Sequence, residues 1–409
     1  MAIAGLASPV TRGLAGIVVA RLAINGGIRV VYPFLPVIAH GLGVSLQVLA
    51  LLIASRSLAG IAGPVIARIV SPCRQRALML RSQLVVISGC LLIAASAATP
   101  VAIRITVAGV GFVATGLARP LFDLPMQTWV SAHVPAADRG RALGVTELGW
   151  ALSLAATVPV AGVLIEQVGW HSPFLLVAGM AGAGVLALVL TVPRDGGEAT
   201  TQALSGGSVA RTMVARTWEM PTGLAVCAGA GLAVAAGESV LVVYGEWLTQ
   251  DFGMSVAQIG ASTLLIVAAE LIGEGLVVTV SDRIGLRRTL FSALLVSATT
   301  YVALGLIGHR VGLAVAVIST LFIAFEVTVV VLIAFASIVV HRSRDRARLL
   351  GALMAAVACG NAVGAVLAPL MFAQGGIGFA GAASACTAAA AAAFLWLGSR
   401  SNRVAWSLS

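Results

Sequence analysis

Twelve apolar runs leave this chain little choice of architecture, because each approaches the roughly 20 residues a helix needs to cross the hydrocarbon core of a bilayer. With soft edges they cover 14–38, 44–70, 78–98, 101–132, 141–165, 173–193, 222–248, 256–280, 288–307, 312–340, 348–372 and 376–398. Lipid offers no partner to an open backbone N–H or C=O, so such runs read as transmembrane helices. Only 10% of the 409 residues are charged, against about 25% in a soluble domain. The expected fold class is an all-α integral membrane protein with twelve transmembrane helices. The first run is too long for a signal peptide and no small-residue cleavage site follows it, so it reads as a retained span.

The runs fall as six plus six around a polar stretch, Arg194 to Met220, whose glycines, serines and charges have the composition of a flexible linker. The expected organisation is an N-terminal six-helix half at 1–193, a cytoplasmic linker at 194–220 and a C-terminal half at 221–409. An internal repeat supports it. Val30-Val31-Tyr32 recurs as Val242-Val243-Tyr244, Gly43 and Ser45 as Gly253 and Ser255, and Pro159 as Pro369. Asp138-Arg139-Gly140-Arg141 recurs as Asp345-Arg346-Ala347-Arg348. These matches keep chain order at nearly one offset, as expected for two parallel repeats with a substrate site near the midplane.

All 25 basic positions are arginine. Without lysine there is no P-loop, Schiff-base or kinase-type lysine chemistry. With the N-terminus in the cytoplasm, 19 arginines fall on the inner side, Arg104 and Arg310 outside, and Arg21, Arg29, Arg56 and Arg119 within spans. That bias orients the chain with both termini inside, as a multi-pass protein of the cell membrane. The net charge of +10 then belongs to cytoplasmic loops, so the bilayer is an expected partner and nucleic acid is not. The five cysteines are odd in number, and none of the five histidines pairs at metal-ligand spacing, so neither a disulfide framework nor a metal is expected. No convergent nucleophile and base appear, so no catalytic residue is assigned and no enzyme is expected.

Ionisable residues inside spans carry the functional signal, since a charge at the bilayer centre costs about 2.5–3.5 kcal/mol on insertion scales. Arg21, Asn25, Arg29 and Tyr32 lie along one face of the first span, and Arg119, Asp123 and Gln127 along one face of the fourth. Arg119 can pair with Asp123 one turn away, and Pro120 and Pro125 are expected to bend that helix. Tyr32 and Trp129 read as packing or interfacial residues before substrate contacts. Glu238, Glu270, Glu274 and Glu326 are buried acids of the second half, and Glu147 of the first half is, like Glu270 and Glu274, a possible proton site or latch. Glu270 and Glu274 share a face, so one of them is expected to be protonated at neutral pH. The first-half charges sum to +2 with Arg56 included, and the second-half acids to −4, a contrast suited to a zwitterion or to a proton-exchanging carboxylate beside an arginine.

Ser281-Asp282-Arg283-Ile284-Gly285-Leu286-Arg287-Arg288 is similar to the signature loop, roughly Gly-x-x-x-Asp-Arg-x-Gly-Arg-Arg, of the major facilitator superfamily of secondary transporters, and the likeness extends over the whole chain. In the first half the matching Ala67 to Arg76 carries Ser71 where the acid is usual. The resemblance implies a cytoplasmic gate built from Asp282, Arg283, Gly285, Arg287 and Arg288, weakened in the first half. It also implies that helices 1, 4, 7 and 10 line the substrate path, with Arg21, Asn25, Arg29, Arg119, Asp123, Glu238 and Glu326 near it. Arg139-Gly140-Arg141 with Glu147 and Trp150, then Gly169-Trp170-His171-Ser172-Pro173-Phe174, resembles prokaryotic exporters of drugs or metabolites, although only Pro159 and Gly162 remain of the helix-5 antiporter motif. The expected function is secondary active transport of a small organic solute by alternating access, driven by the proton gradient with no other cofactor and acting as a monomer. Efflux by antiport stands ahead of uptake; a flippase for an amphipathic lipid and a transporter-like receptor are the further alternatives.

Overall fold

The computed structural model describes residues 8–62, 66, 74–135, 138–194, 221–339 and 343–400. Among them the chain is all-helical. The helices are α1 (Ser8–Arg29), α2 (Leu35–Leu42), α3 (Leu46–Ala59), α4 (Gln75–Ala95), α5 (Val101–His133) and α6 (Arg139–Gln167). They continue as α7 (Ser172–Thr191), α8 (Pro221–Phe252), α9 (Val256–Ile284), α10 (Leu286–Leu304), α11 (Val311–Val339) and α12 (Ser343–Arg400). The 194–220 linker, apart from Arg194, lies outside the described residues, as does the Ala67–Cys73 part of the first signature-like loop.

Nine helical stretches among the described residues are long and apolar enough to cross a membrane. Two of them are interrupted well inside their length. Pro9–Leu42 passes through a 3₁₀ turn at Tyr32–Phe34, where Pro33 and Pro36 remove backbone donors and break the α-helical ladder. Leu349–Ser399 is interrupted at Gly375 (φ −163°, ψ 31°) and Gly376 (φ 61°, ψ −155°). The second of these lies at positive φ, open to glycine and strained for any side chain. Two expected spans are not among these nine. α3 ends at Ala59 and gives way to a 3₁₀ turn at Gly60–Ala62, and α10 has 19 residues with two arginines in its first turn. α5 is continuous through both prolines.

Two compact units emerge. The first comprises Met1–Ser45, Leu58–Gly207 and Val256–Thr263. Within it α1 packs on α6 and α7, and α4 on α5 and α7. α4 and α5 meet at a pair of glycines: a Cβ on Gly111 would lie 2.6 Å from the Gly89 carbonyl oxygen, and one on Gly89 2.9 Å from the Gly111 oxygen. Small residues let helices approach in lipid, where dispersion rather than water exclusion holds them. The first turns of α9 belong to this unit because Glu166 accepts a hydrogen bond from the Ala257 N–H at 2.8 Å, occupying one of the donors every helix start leaves open.

The second unit comprises Leu46–Ser57, Ser208–Ser255 and Leu264–Ser409. α8 packs along α12, and α10 on α11 and α12, around Val226, Ala230, Leu290, Val331, Phe335, Leu353 and Leu395. α3 joins it through Gln47, whose amide donates to the Val366 carbonyl at 2.9 Å. Gln47 and Ala257 stand 210 residues apart, the spacing of the sequence repeat. Hydroxyls in the helices donate to their own carbonyls four residues back, as Thr157 does to Ser153 and Thr328 to Ala324. That arrangement satisfies a polar side chain without water. Large apolar side chains such as Leu190, Leu306 and Leu295 stand well exposed, a surface a soluble monomer would not keep.

Candidate functional site

Arg21, Asn25 and Arg29 recur every four residues on α1 and are buried, Arg21 to 3% exposure. A guanidinium so placed needs anionic partners, because its isolated burial costs several kcal/mol. Two carboxylates supply them. Arg21 Nη1 lies 3.0 Å from Glu147 Oε1 and Nη2 donates to Glu147 Oε2 at 3.0 Å, so α6 presents both oxygens of one carboxylate to the guanidinium. Arg21 Nε lies 3.4 Å from Asp123 Oδ1 on α5. The other oxygen, Oδ2, lies 3.5 Å from Arg119 Nε, one helical turn earlier. Asp123 thus bridges two arginines, and Arg21 bridges two acids.

Trp150 extends the cluster. It follows Glu147 by three residues on α6 and so shares its face. Arg29 Nη1 donates to its carbonyl at 2.9 Å. The Arg29 and Arg119 guanidinium carbons lie 4.5 and 4.7 Å from the ring centroid, within the range of a cation–π contact. Three arginines against two carboxylates leave this cluster with a net charge of +1. Openness is graded across it: the Glu147 side chain is 55% exposed, Arg119 44%, Asp123 19% and Arg21 3%. Asn25 is fully buried, and neither of its amide atoms has a hydrogen-bond partner.

The anticipated Arg119–Asp123 pair is therefore present, but as one link of a larger network. Gln127, one turn further along α5, is exposed and lies beyond these ion pairs. Tyr32 is buried in the 3₁₀ turn, and Trp129 is buried and stacks on His133 with ring centroids 4.6 Å apart, both in keeping with packing roles. Sequence reasoning missed the Arg21–Glu147 pair and the part Trp150 plays. The available signal was the three-residue spacing that puts Glu147 and Trp150 on one face.

The second unit holds the glutamates. Glu238 on α8, Glu270 on α9 and Glu326 on α11 are buried, and Glu274 is half-buried. α11 meets α9 at Gly273, where a Cβ would stand 3.0 Å from Glu326 Cβ, between Glu270 and Glu274 in the chain. Gly364 on α12 makes similar room for the Glu238 stem. Arg56, grouped with the first half on sequence, is buried within the second compact unit.

In the signature-like loop Gly285 has φ +84° and caps the start of α10, a conformation that favours glycine. Arg283 and Arg288 are exposed, and the Arg287 guanidinium carbon lies 6.0 Å from the Phe291 ring centroid. The Asp282 side chain lies outside the described residues. Among the described residues no group of three or more His, Cys, Asp or Glu could hold a metal.

Comparison with known proteins places this geometry. The solved structures it resembles include a bacterial homologue of the human lysosomal transporter Spinster, in an inward-facing and occupied conformation. That match has a TM-score of 0.73 at 15% identity and covers 99% of this chain and 100% of that one. A D-xylose–proton symporter matches with a TM-score of 0.76 at 15% identity, covering 95% and 98%. By sequence the chain is 24% identical over 164 residues to the uncharacterised MFS-type transporter YceJ of Bacillus subtilis (strain 168), a match spanning 40% of this chain and 41% of that relative. The family model described as Major Facilitator Superfamily matches residues 17–241 and 226–407, and the chain belongs to that superfamily of transporters.

Proposed function

We propose that this protein is a proton-coupled secondary transporter that moves a small charged organic solute across the cell membrane by alternating access. The observation that carries the reading is the sharing of one buried guanidinium, Arg21, between two carboxylates from different helices. A cation with two acids can hand itself from one to the other when a proton neutralises either. Coupling then runs through Arg21, Asp123 and Glu147 in the first unit and through Glu238 or a neighbouring buried glutamate in the second. Arg29, Arg119 and Asn25 border the solute. Moving one charge through 100 mV supplies about 2.3 kcal/mol, enough to drive such a cycle.

The proposed topology has twelve spans in two halves, 1–193 and 221–409, with both termini cytoplasmic and the protein acting as a monomer. The apolar stretches among the described residues support it once the Gly375–Gly376 break, α3 and α10 are included. The family resemblance favours export by antiport. The second reading, proton and solute crossing together, is favoured by the +1 charge around Trp150.

Proteoliposomes loaded with a pH-sensitive dye and given cationic, anionic and zwitterionic solutes test the proposal. One solute class is expected to move protons in wild type, with Asp123→Asn or Glu238→Gln abolishing the movement. The sign of the dye response separates exchange from co-movement. Transport and pH dependence that survive both substitutions would sink the assignment of coupling residues.

A further inference from the structure

The ion pairs around Arg21 are not equivalent. Neutralising Asp123 would leave Arg119 without its carboxylate and Arg21 with Glu147 alone. Neutralising Glu147 strands neither, because Arg21 keeps Asp123. Glu147 is also the most open member of the cluster, at 55% exposure. The charged groups around it are few. α6 packs against α1, α5 and α7 and meets the first turns of α9, Val256–Thr263, which contain no ionisable residue. α1 brings Arg21 directly and Arg29 at Trp150, α5 brings Asp123 and Arg119, and α7 contains no ionisable residue.

We infer that Glu147 and a carboxylate group of the solute take turns on the Nη1–Nη2 edge of Arg21, so that the site takes up one proton with each carboxylate it binds. The edge already holds both oxygens of a carboxylate at 3.0 Å, one of them hydrogen-bonded to Nη2, close to the paired arrangement in which a guanidinium recognises that planar anion. A proton from water adds to a Glu147 carboxylate oxygen, and the neutral acid no longer competes for Arg21. The solute carboxylate then accepts the two N–H bonds, with no covalent bond made or broken. The net charge of the cluster stays +1 in both states, which matters where charge is poorly solvated. Arg119 and Arg29 on Trp150 hold the approach positive, and Asn25 places an unpartnered amide one helical turn from Arg21. The inference rests on the proton-coupled reading and selects co-movement of proton and solute over exchange.

Isothermal titration of the full chain in phosphatidylcholine nanodiscs tests it, with succinate and benzoate as probes and choline and inorganic phosphate as controls. Running each titration in two buffers of different ionisation enthalpy yields the protons taken up per probe bound. Wild type is expected to bind a carboxylate probe about a hundredfold more weakly at pH 8 than at pH 6, with about one proton taken up per probe. Glu147→Gln is expected to bind it with no proton uptake and no pH dependence, and Arg119→Gln to bind it more weakly at both pH values. Proton uptake that persists in Glu147→Gln overturns the role of Glu147, and the wild-type pH dependence tests the same point should that variant fail to fold. Binding of choline or phosphate in preference to both carboxylates, or no carboxylate binding, overturns the ligand class. Carboxylate binding with proton uptake but no flux in proteoliposomes would instead defeat the transport reading and leave the site intact.

Discussion

At the scale of single residues the decisive fact is that one arginine serves two acids. Arg21 is nearly inaccessible, so each partner does more than decorate a surface: it offsets the loss of hydration of a cation in a poorly polarisable setting. Substituting Arg21 alone, as Arg21→Met, is expected to strand Glu147 and weaken the hold on Asp123, whereas Arg21→Met with Glu147→Leu removes the mismatch. A double-mutant cycle on unfolding in mixed micelles should give a coupling of about 0.5–3 kcal/mol for the pair. Zero coupling would mean that the pair contributes nothing to the folded state. The Arg119–Asp123 pair is expected to give a smaller value, because Arg119 is 44% exposed and its distance is 3.5 Å, and exposed helix pairs contribute a few tenths of a kcal/mol. Of this cluster the i,i+4 pair was legible from spacing alone. The Arg21 contacts were not, since nothing local says which helix will bring an acid to within 3 Å of residue 21.

At the scale of helices, small residues decide where elements touch. Gly89 and Gly111 stand against each other's carbonyl oxygens where α4 crosses α5. Gly111→Val is therefore expected to push the helices apart and cost about 1–3 kcal/mol, as overpacking of a tight contact does, read as a lower melting temperature in detergent. Gly179→Ala on α7, with nothing near its added methyl, is the control and should melt like wild type. Equal effects at the two sites would show that helix propensity and not crossing geometry governs α4 and α5. The apolar pattern located these helices but could not distinguish Gly111 from Gly179, because both look like small residues in an apolar run. The span drawn from the pattern, 101–132, already ran through Pro120 and Pro125, and α5 is continuous through both.

At the scale of the whole molecule the arginine distribution makes a prediction independent of any side-chain contact. A fluorescent-protein fusion after residue 398 should fold and fluoresce, because the C-terminus is expected in the cytoplasm, and a periplasm-dependent reporter inserted between Gly308 and Arg310 should be active. A dark fusion at the C-terminus with an active periplasmic reporter there would reverse the orientation drawn from the 19 arginines. The compact units carry a second lesson at this scale, because they are not contiguous in the chain. Leu46–Ser57 and Val256–Thr263 each cluster away from the residues that precede them, and the hydrogen bonds of Gln47 and Ala257 show how.

Length and composition alone determined the class of this protein: runs of about 20 apolar residues can satisfy their backbone in lipid only as helices. Motif and spacing pointed to the superfamily and to the charged faces of the first and fourth spans, because helical periodicity is local. The partners of Arg21 and the stacking of Arg29 and Arg119 on Trp150 were decided only by tertiary structure. Each depends on which faces of distant helices meet, and that choice is made by packing summed over whole helices, which no short stretch of sequence encodes.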